Sequence, residues 1–123
     1  MEVTTTMKKK KTRLIVRKGA ENIALKVEDI AFIYCENTLI IAVDKEEKKY
    51  LCNRNLTLLE QELDEAQFFR ANRKYLVNID YIKSFKNFEK VKLEVYLNLP
   101  SNGHHIIVSQ ETAPHFKKWI HED

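Results

Sequence analysis

The chain has 123 residues, a formal net charge of +3, 44% hydrophobic residues and two cysteines. This is the commonest size for one domain, and it is enough for a packed core without disulfide or metal support, so a second core is not expected. No apolar run approaches the ~18 residues of a membrane-crossing helix. The basic start at residues 8–11 leads into the mixed segment TRLIVRKGAE, not the apolar centre of a signal peptide, which points to a cytoplasmic protein.

Residues 1–11 combine three threonines with four lysines and hold almost nothing to bury, so they are expected to be a flexible basic tail ahead of a domain over residues 12–123. From Thr12 onward, short apolar runs separated by turn residues predict strands. Residues 14–16 and 23–27 flank Lys18-Gly19 as a hairpin. Residues 31–35 and 39–43 surround Glu36-Asn37-Thr38, and residues 49–52 follow a charged turn.

The first helix is expected around residues 55–63, with Thr57 and Glu60 as a capping box and Leu56, Leu59 and Leu63 on one face. It is too short to survive without tertiary contacts. Further on, Val91, Leu93, Val95 and Leu97 alternate with Lys92, Glu94 and Tyr96 as a strand. A turn at residues 100–103 should return the chain as an antiparallel partner over residues 104–108. Thr112 as N-cap and Pro114 in the first turn announce a last helix, with Phe116, Trp119 and Ile120 inward and Lys117 and Lys118 outward. The expected fold class is mainly β with two or three short helices.

Charge locates more than it totals. Residues 1–20 hold seven basic residues against Glu2, a local +6, so the rest of the chain sums to −3. Residues 70–92 carry Arg70, Arg73, Lys74, Lys83, Lys86, Lys90 and Lys92 against Asp80 and Glu89, a local +5 suited either to phosphate contacts or to a solvated strand face.

No enzymatic constellation accompanies it: there is no glycine-rich phosphate loop, GxSxG or HExxH. His104 and His105 should point to opposite faces of a strand and so cannot share a metal. Cys35 and Cys52 have no zinc-ligand spacing and are expected to be plain thiols. No enzyme activity, metal or cofactor is expected.

The segment FFRANRKYLVNIDYIKSF, residues 68–85, places Arg70-Ala71-Asn72-Arg73-Lys74 between the apolar anchors Phe68-Phe69 and Tyr75-Leu76-Val77. Polar side chains gripped between buried runs are held in position while their tips stay in water. Arg reads guanine with two parallel hydrogen bonds, Asn reads adenine and Lys neutralises phosphate. An ordinary surface loop uses the same residues.

This segment resembles the signature of LytTR-type DNA-binding domains, the output domains of LytR/AgrA-type response regulators. The match rests on Phe69-Arg70, Asn72-Arg73-Lys74, Leu76-Val77-Asn78 and Ile82. Asp29-Ile30, Ile33-Tyr34-Cys35-Glu36, the leucine-rich helix and Val108-Ser109 fall in the right order, so the resemblance covers about residues 22–120.

The resemblance implies an elongated arrangement of small antiparallel sheets that reads double-stranded DNA through loops, as a transcription regulator and without a recognition helix. Asn37 and Thr38, Asn72 to Lys74, and Gln110 with Glu111 would face DNA. Arg73 is expected as the main base reader, Lys74 and Arg70 as phosphate contacts, Asn72, Thr38 and Gln110 as secondary contacts, and Asn78 as a brace. Two copies on repeated half-sites are expected. A signalling or receiver partner would be separate, because no receiver-like βα repeat precedes Thr12.

Two positions depart from the family: Gln110 stands where Arg is frequent, and Asn72 where His is. With the −3 balance after residue 20, Gln110 leaves open an alternative, a protein-interaction module that keeps the fold without strong DNA binding.

Overall fold

The computed structural model describes residues 10–100 and 103–121. Residues 1–9 of the expected tail, and residues 101 and 102 of the expected turn, lie outside the described residues. Lys10 and Lys11 run beside the end of the first helix, the Lys11 amide donating to the Glu62 carbonyl at 3.2 Å and the Lys10 ammonium to that of Gln61 at 3.4 Å.

The hairpin of β1 (Arg13–Lys18) and β2 (Glu21–Lys26) forms as expected, in register from Arg13 opposite Lys26 to Lys18 opposite Glu21. Gly19 turns it with a φ of 61°, in the left-handed region that glycine enters without a Cβ clash. A 3-10 turn at Val27–Asp29 leads to β3 (Ile30–Glu36), β4 (Leu39–Asp44) and β5 (Lys49–Cys52).

After α1 (Leu56–Glu62), the central segment contributes β6 (Phe68–Arg70) and β7 (Tyr75–Asn78). These complete a seven-stranded antiparallel sheet in the order β2-β1-β5-β4-β3-β7-β6. A second sheet has the order β10-β9-β8, formed by β8 (Ile82–Phe88), β9 (Lys92–Leu97) and β10 (Ile106–Val108), and α2 (Ala113–His121) closes the chain.

The larger sheet curls. Strands β2 and β3 are four places apart in it, ~19 Å if it were flat, yet the four steps from Lys26 to Ile30 reach at most ~14 Å. The concave side therefore wraps α1, burying Leu14, Val16, Leu25, Ile33, Tyr50 and Leu76 against Leu56, Leu59 and Leu63. The three leucines share one face, as their spacing predicts. Phe32, Tyr34, Val43 and Val77 on the other side pack with Leu93, Val95, Ile106 and Phe116 of the second sheet and α2. Strand β3 is covered on both sides, which is why Ile30 to Tyr34 read as a continuous apolar run.

The start of α1 differs from expectation. Asn55, in extended conformation, caps it by accepting the Leu58 amide at 2.8 Å, and Thr57 lies inside the helix. An asparagine in that conformation reaches the third helical amide directly, so the Thr57–Glu60 pattern is not used as a box.

Candidate nucleic-acid interface

The link between β6 and β7 is held from several sides. The Ala71 amide donates to the Tyr75 carbonyl at 2.9 Å, closing the loop, and Ala71 itself is fully buried. The Asn72 side-chain oxygen accepts the amides of Lys74 at 2.7 Å and Tyr75 at 3.1 Å, a local arrangement for which asparagine is suited. Its amide nitrogen donates to the Ile107 carbonyl of β10 at 2.6 Å, tying the loop to the second sheet. The Cys35 amide donates to the Lys74 carbonyl at 3.0 Å, tying it to β3.

Arg70 works from beneath. Its Nε donates to the Asn72 carbonyl at 2.8 Å, one terminal nitrogen to the Arg73 carbonyl at 2.9 Å and the other to Glu60 of α1 at 3.1 Å. The guanidinium fork thus clamps two successive carbonyls of the loop. In contrast, Arg73 and Lys74 are exposed, and their side chains have no hydrogen-bonding or ionic partner among the described residues. Two braced positions therefore present two cations without partners among the described residues.

Asn37 and Thr38 form the two-residue link from β3 to β4, with φ of 50° and 68°. Positive φ at both centres matches the twist of the flanking strands. Asparagine tolerates this region, whereas a β-branched threonine is crowded there. Both side chains are exposed, and the turn lies two residues beyond Cys35, whose amide meets Lys74. The turn and the Arg73 loop therefore share one end of the sheet.

Gln110 is exposed on the short link from β10 to α2. That link is fixed by the Ala113 amide donating to the Ser109 carbonyl at 2.8 Å and by the Ser109 hydroxyl meeting that of Thr112 at 2.9 Å.

An open groove of about 710 Å³ runs between the two sheets, walled by Arg73, Lys74 and Tyr75 on one side and by His105, Ile107 and Glu111 on the other. Gln110 is not part of its wall, although its neighbours Ser109 and Glu111 are. The sequence reading missed His105, Tyr75 and Ile107 as groove residues. Alternation along the last strand places 105 and 107 on one face, but nothing local says that this face meets the Arg73 loop.

Behind the loop sits an aromatic cluster. The Tyr75 ring stacks on Tyr34 with centroids 5.8 Å apart, and the His104 ring meets Phe32 and Tyr34 edge-on at 4.9 and 4.6 Å. The Tyr75 oxygen lies 2.8 Å from His104 Nδ1. Burial first, then the neighbouring Tyr34 and Glu36, raises the Tyr75 phenol. Burial first, then Lys49, lowers His104, with Glu36 opposing. Both shifts favour the neutral forms of the two groups. His104 faces this cluster while His105 faces the groove, in keeping with their expected separation.

Asn78 is fully buried: its amide nitrogen donates to the Ile30 carbonyl at 2.8 Å and its oxygen accepts the Asp80 amide at 2.9 Å. It braces the segment after the loop. No helix among the described residues is long and apolar enough to cross a membrane.

Comparison with known proteins places this geometry. A search of curated proteins found no match. Among solved structures, the chain is similar to the LytTr DNA-binding domain of a protein described as a methyl-accepting/DNA response regulator from Bacillus cereus. The TM-score is 0.79 at 20% identity, over 91% of this chain and 99% of that one. That likeness shows the fold. The model of the LytTr DNA-binding domain family matches residues 20–121, nearly the whole chain, and the protein therefore belongs to the LytTr DNA-binding domain family.

Proposed function

We propose that this protein binds double-stranded DNA sequence-specifically and regulates transcription in the cytoplasm, with residues 12–123 acting as the DNA-binding unit. The observation that carries the reading is the contrast on one loop. Arg70 and Asn72 hold the backbone on both sides of Arg73 and tie it to α1 and β10, whereas the Arg73 side chain has no partner among the described residues. A guanidinium carried on a braced backbone has less main-chain ordering still to lose when its fork meets a guanine edge.

In this reading Arg73 reads a base and Lys74 holds a phosphate beside it. Asn37 and Thr38 approach from the neighbouring turn, and Gln110 approaches from the far side of the groove. Arg70 and Asn72 serve DNA binding as positioning residues, because their polar atoms are engaged within the protein. Family membership supports DNA as the ligand. We further propose that two copies occupy repeated half-sites and that the input comes from a separate signalling or receiver partner. Selection from a pool of random duplexes tests the function: one enriched motif is expected, repeated at a fixed spacing. Enrichment of no motif would instead favour the interaction-module alternative.

A further inference from the structure

The groove wall opposite Arg73 carries a histidine with a fixed partner. Glu94 of β9 is 7% exposed, and both of its carboxylate oxygens are used, one accepting the Tyr96 hydroxyl at 2.8 Å and the other lying 2.8 Å from His105 Nε2. A carboxylate withdrawn from water needs a compensating donor or positive charge. Among the described residues its one ion-pair partner is His105. The His105 side chain is nevertheless 71% exposed and lines the groove. With Nε2 committed to Glu94, Nδ1 is the ring atom left for a ligand.

We propose that His105 is a further DNA-contacting residue, which donates from Nδ1 to a backbone phosphate when doubly protonated and so makes DNA affinity depend on pH. This rests on the groove reading above.

The chemistry follows from the two ring states. With Nε2–H directed at Glu94, a neutral ring offers a lone pair at Nδ1, which a phosphate oxygen repels. The imidazolium offers a donor there, and histidine gains its proton within the range pH 5–8. Glu94 faces Nε2 of the ring and is itself held by the Tyr96 hydroxyl. The other charged groups around it are Lys86, whose ammonium sits 5.4 Å from the Tyr96 ring, and Arg73, Lys74 and Glu111 of the groove wall. The Phe88 ring, at 6.2 Å, packs edge-on against His105 and is neutral. A phosphate bound at Nδ1 pairs with the imidazolium and not with the neutral ring, so DNA binding and proton uptake reinforce each other.

The test compares wild type with His105→Gln, whose side-chain amide still donates to Glu94 but cannot become charged. Fluorescence anisotropy on a duplex selected by the wild-type protein is read at about pH 5.5 and about pH 8 over a series of salt concentrations. Wild type should bind roughly tenfold tighter at the lower pH, as a charge-assisted contact implies, with a log–log salt slope steeper by about 0.9. His105→Gln should lose that excess at low pH and match wild type at high pH. The other histidines remain in the variant, so the difference belongs to His105. Parallel pH and salt profiles for the two proteins would overturn the role of His105 while leaving the groove reading intact. Failure of wild type to bind any duplex would overturn both.

Discussion

Asn72 donates from its side chain to the carbonyl of Ile107, 35 residues later, across 2.6 Å, and joins the Arg73 loop of the larger sheet to the last strand of the smaller one. The same side chain holds the loop amides of Lys74 and Tyr75. Replacing Asn72 with alanine removes all three bonds. Stability should fall by about 1–2 kcal/mol in urea denaturation, and DNA affinity should fall by a similar factor on every sequence. A shift in the preferred base at one position would instead make Asn72 a reader.

Arg70 separates bracing from phosphate contact by chemistry. A lysine substituted at a phosphate contact keeps its charge and much of its function, but it cannot clamp the Asn72 and Arg73 carbonyls as a planar fork does. Arg70→Lys and Arg70→Ala should therefore weaken duplex binding to the same degree. Rescue by lysine, seen in titrations at low salt, would assign Arg70 to the phosphates.

Thr38 holds a φ of 68° that a β-branched residue adopts at a cost of about 1–3 kcal/mol. Thr38→Gly relieves the crowding and should raise the denaturation midpoint. If the hydroxyl reaches DNA, affinity should drop in the same variant. A gain in stability with unchanged affinity would remove Thr38 from the interface.

His104 ties folding to pH. Burial lowers its pKa from the ordinary value of 6.5, so the unfolded chain takes up a proton at higher pH than the folded one. The stabilising contribution is complete above 6.5 and is lost as pH falls from there through the folded-state value. His104→Phe keeps an aromatic ring beside Phe32 and Tyr34 and cannot titrate. Between about pH 8 and about pH 5 the wild-type melting temperature should fall further than that of the variant. Parallel curves would show that His104 does not carry this linkage.

Much of the fold was legible because apolar spacing reports burial directly. Strands β1 to β5, the stripe of Leu56, Leu59 and Leu63, and the inward face of α2 follow from period alone. Strand β8 does not: Lys83, Ser84, Lys86 and Asn87 are exposed, and only Ile82, Phe85 and Phe88 suggest a buried side. Its pairing with β9 is a long-range fact. Two local patterns compete for the cap of α1, and Asn55 has the better geometry.

At the interface, the segment around Arg73 stood out, yet which polar residues are free did not. Arg70, Asn72 and Arg73 look alike in sequence. They differ because the Asn72 and Arg73 carbonyls and the Ile107 carbonyl happen to lie within their reach. His105 was hidden for the same reason, since Glu94 is its neighbour only through the β9–β10 pairing.

In the proposed function Arg73 reads a base from a loop held by its neighbours. The most direct test is to select duplexes with wild type and with Arg73→Ala and compare base preferences position by position. The variant should bind the wild-type site about 1–3 kcal/mol more weakly and lose discrimination at one base pair of each half-site. An unchanged preference profile at every position would contradict it.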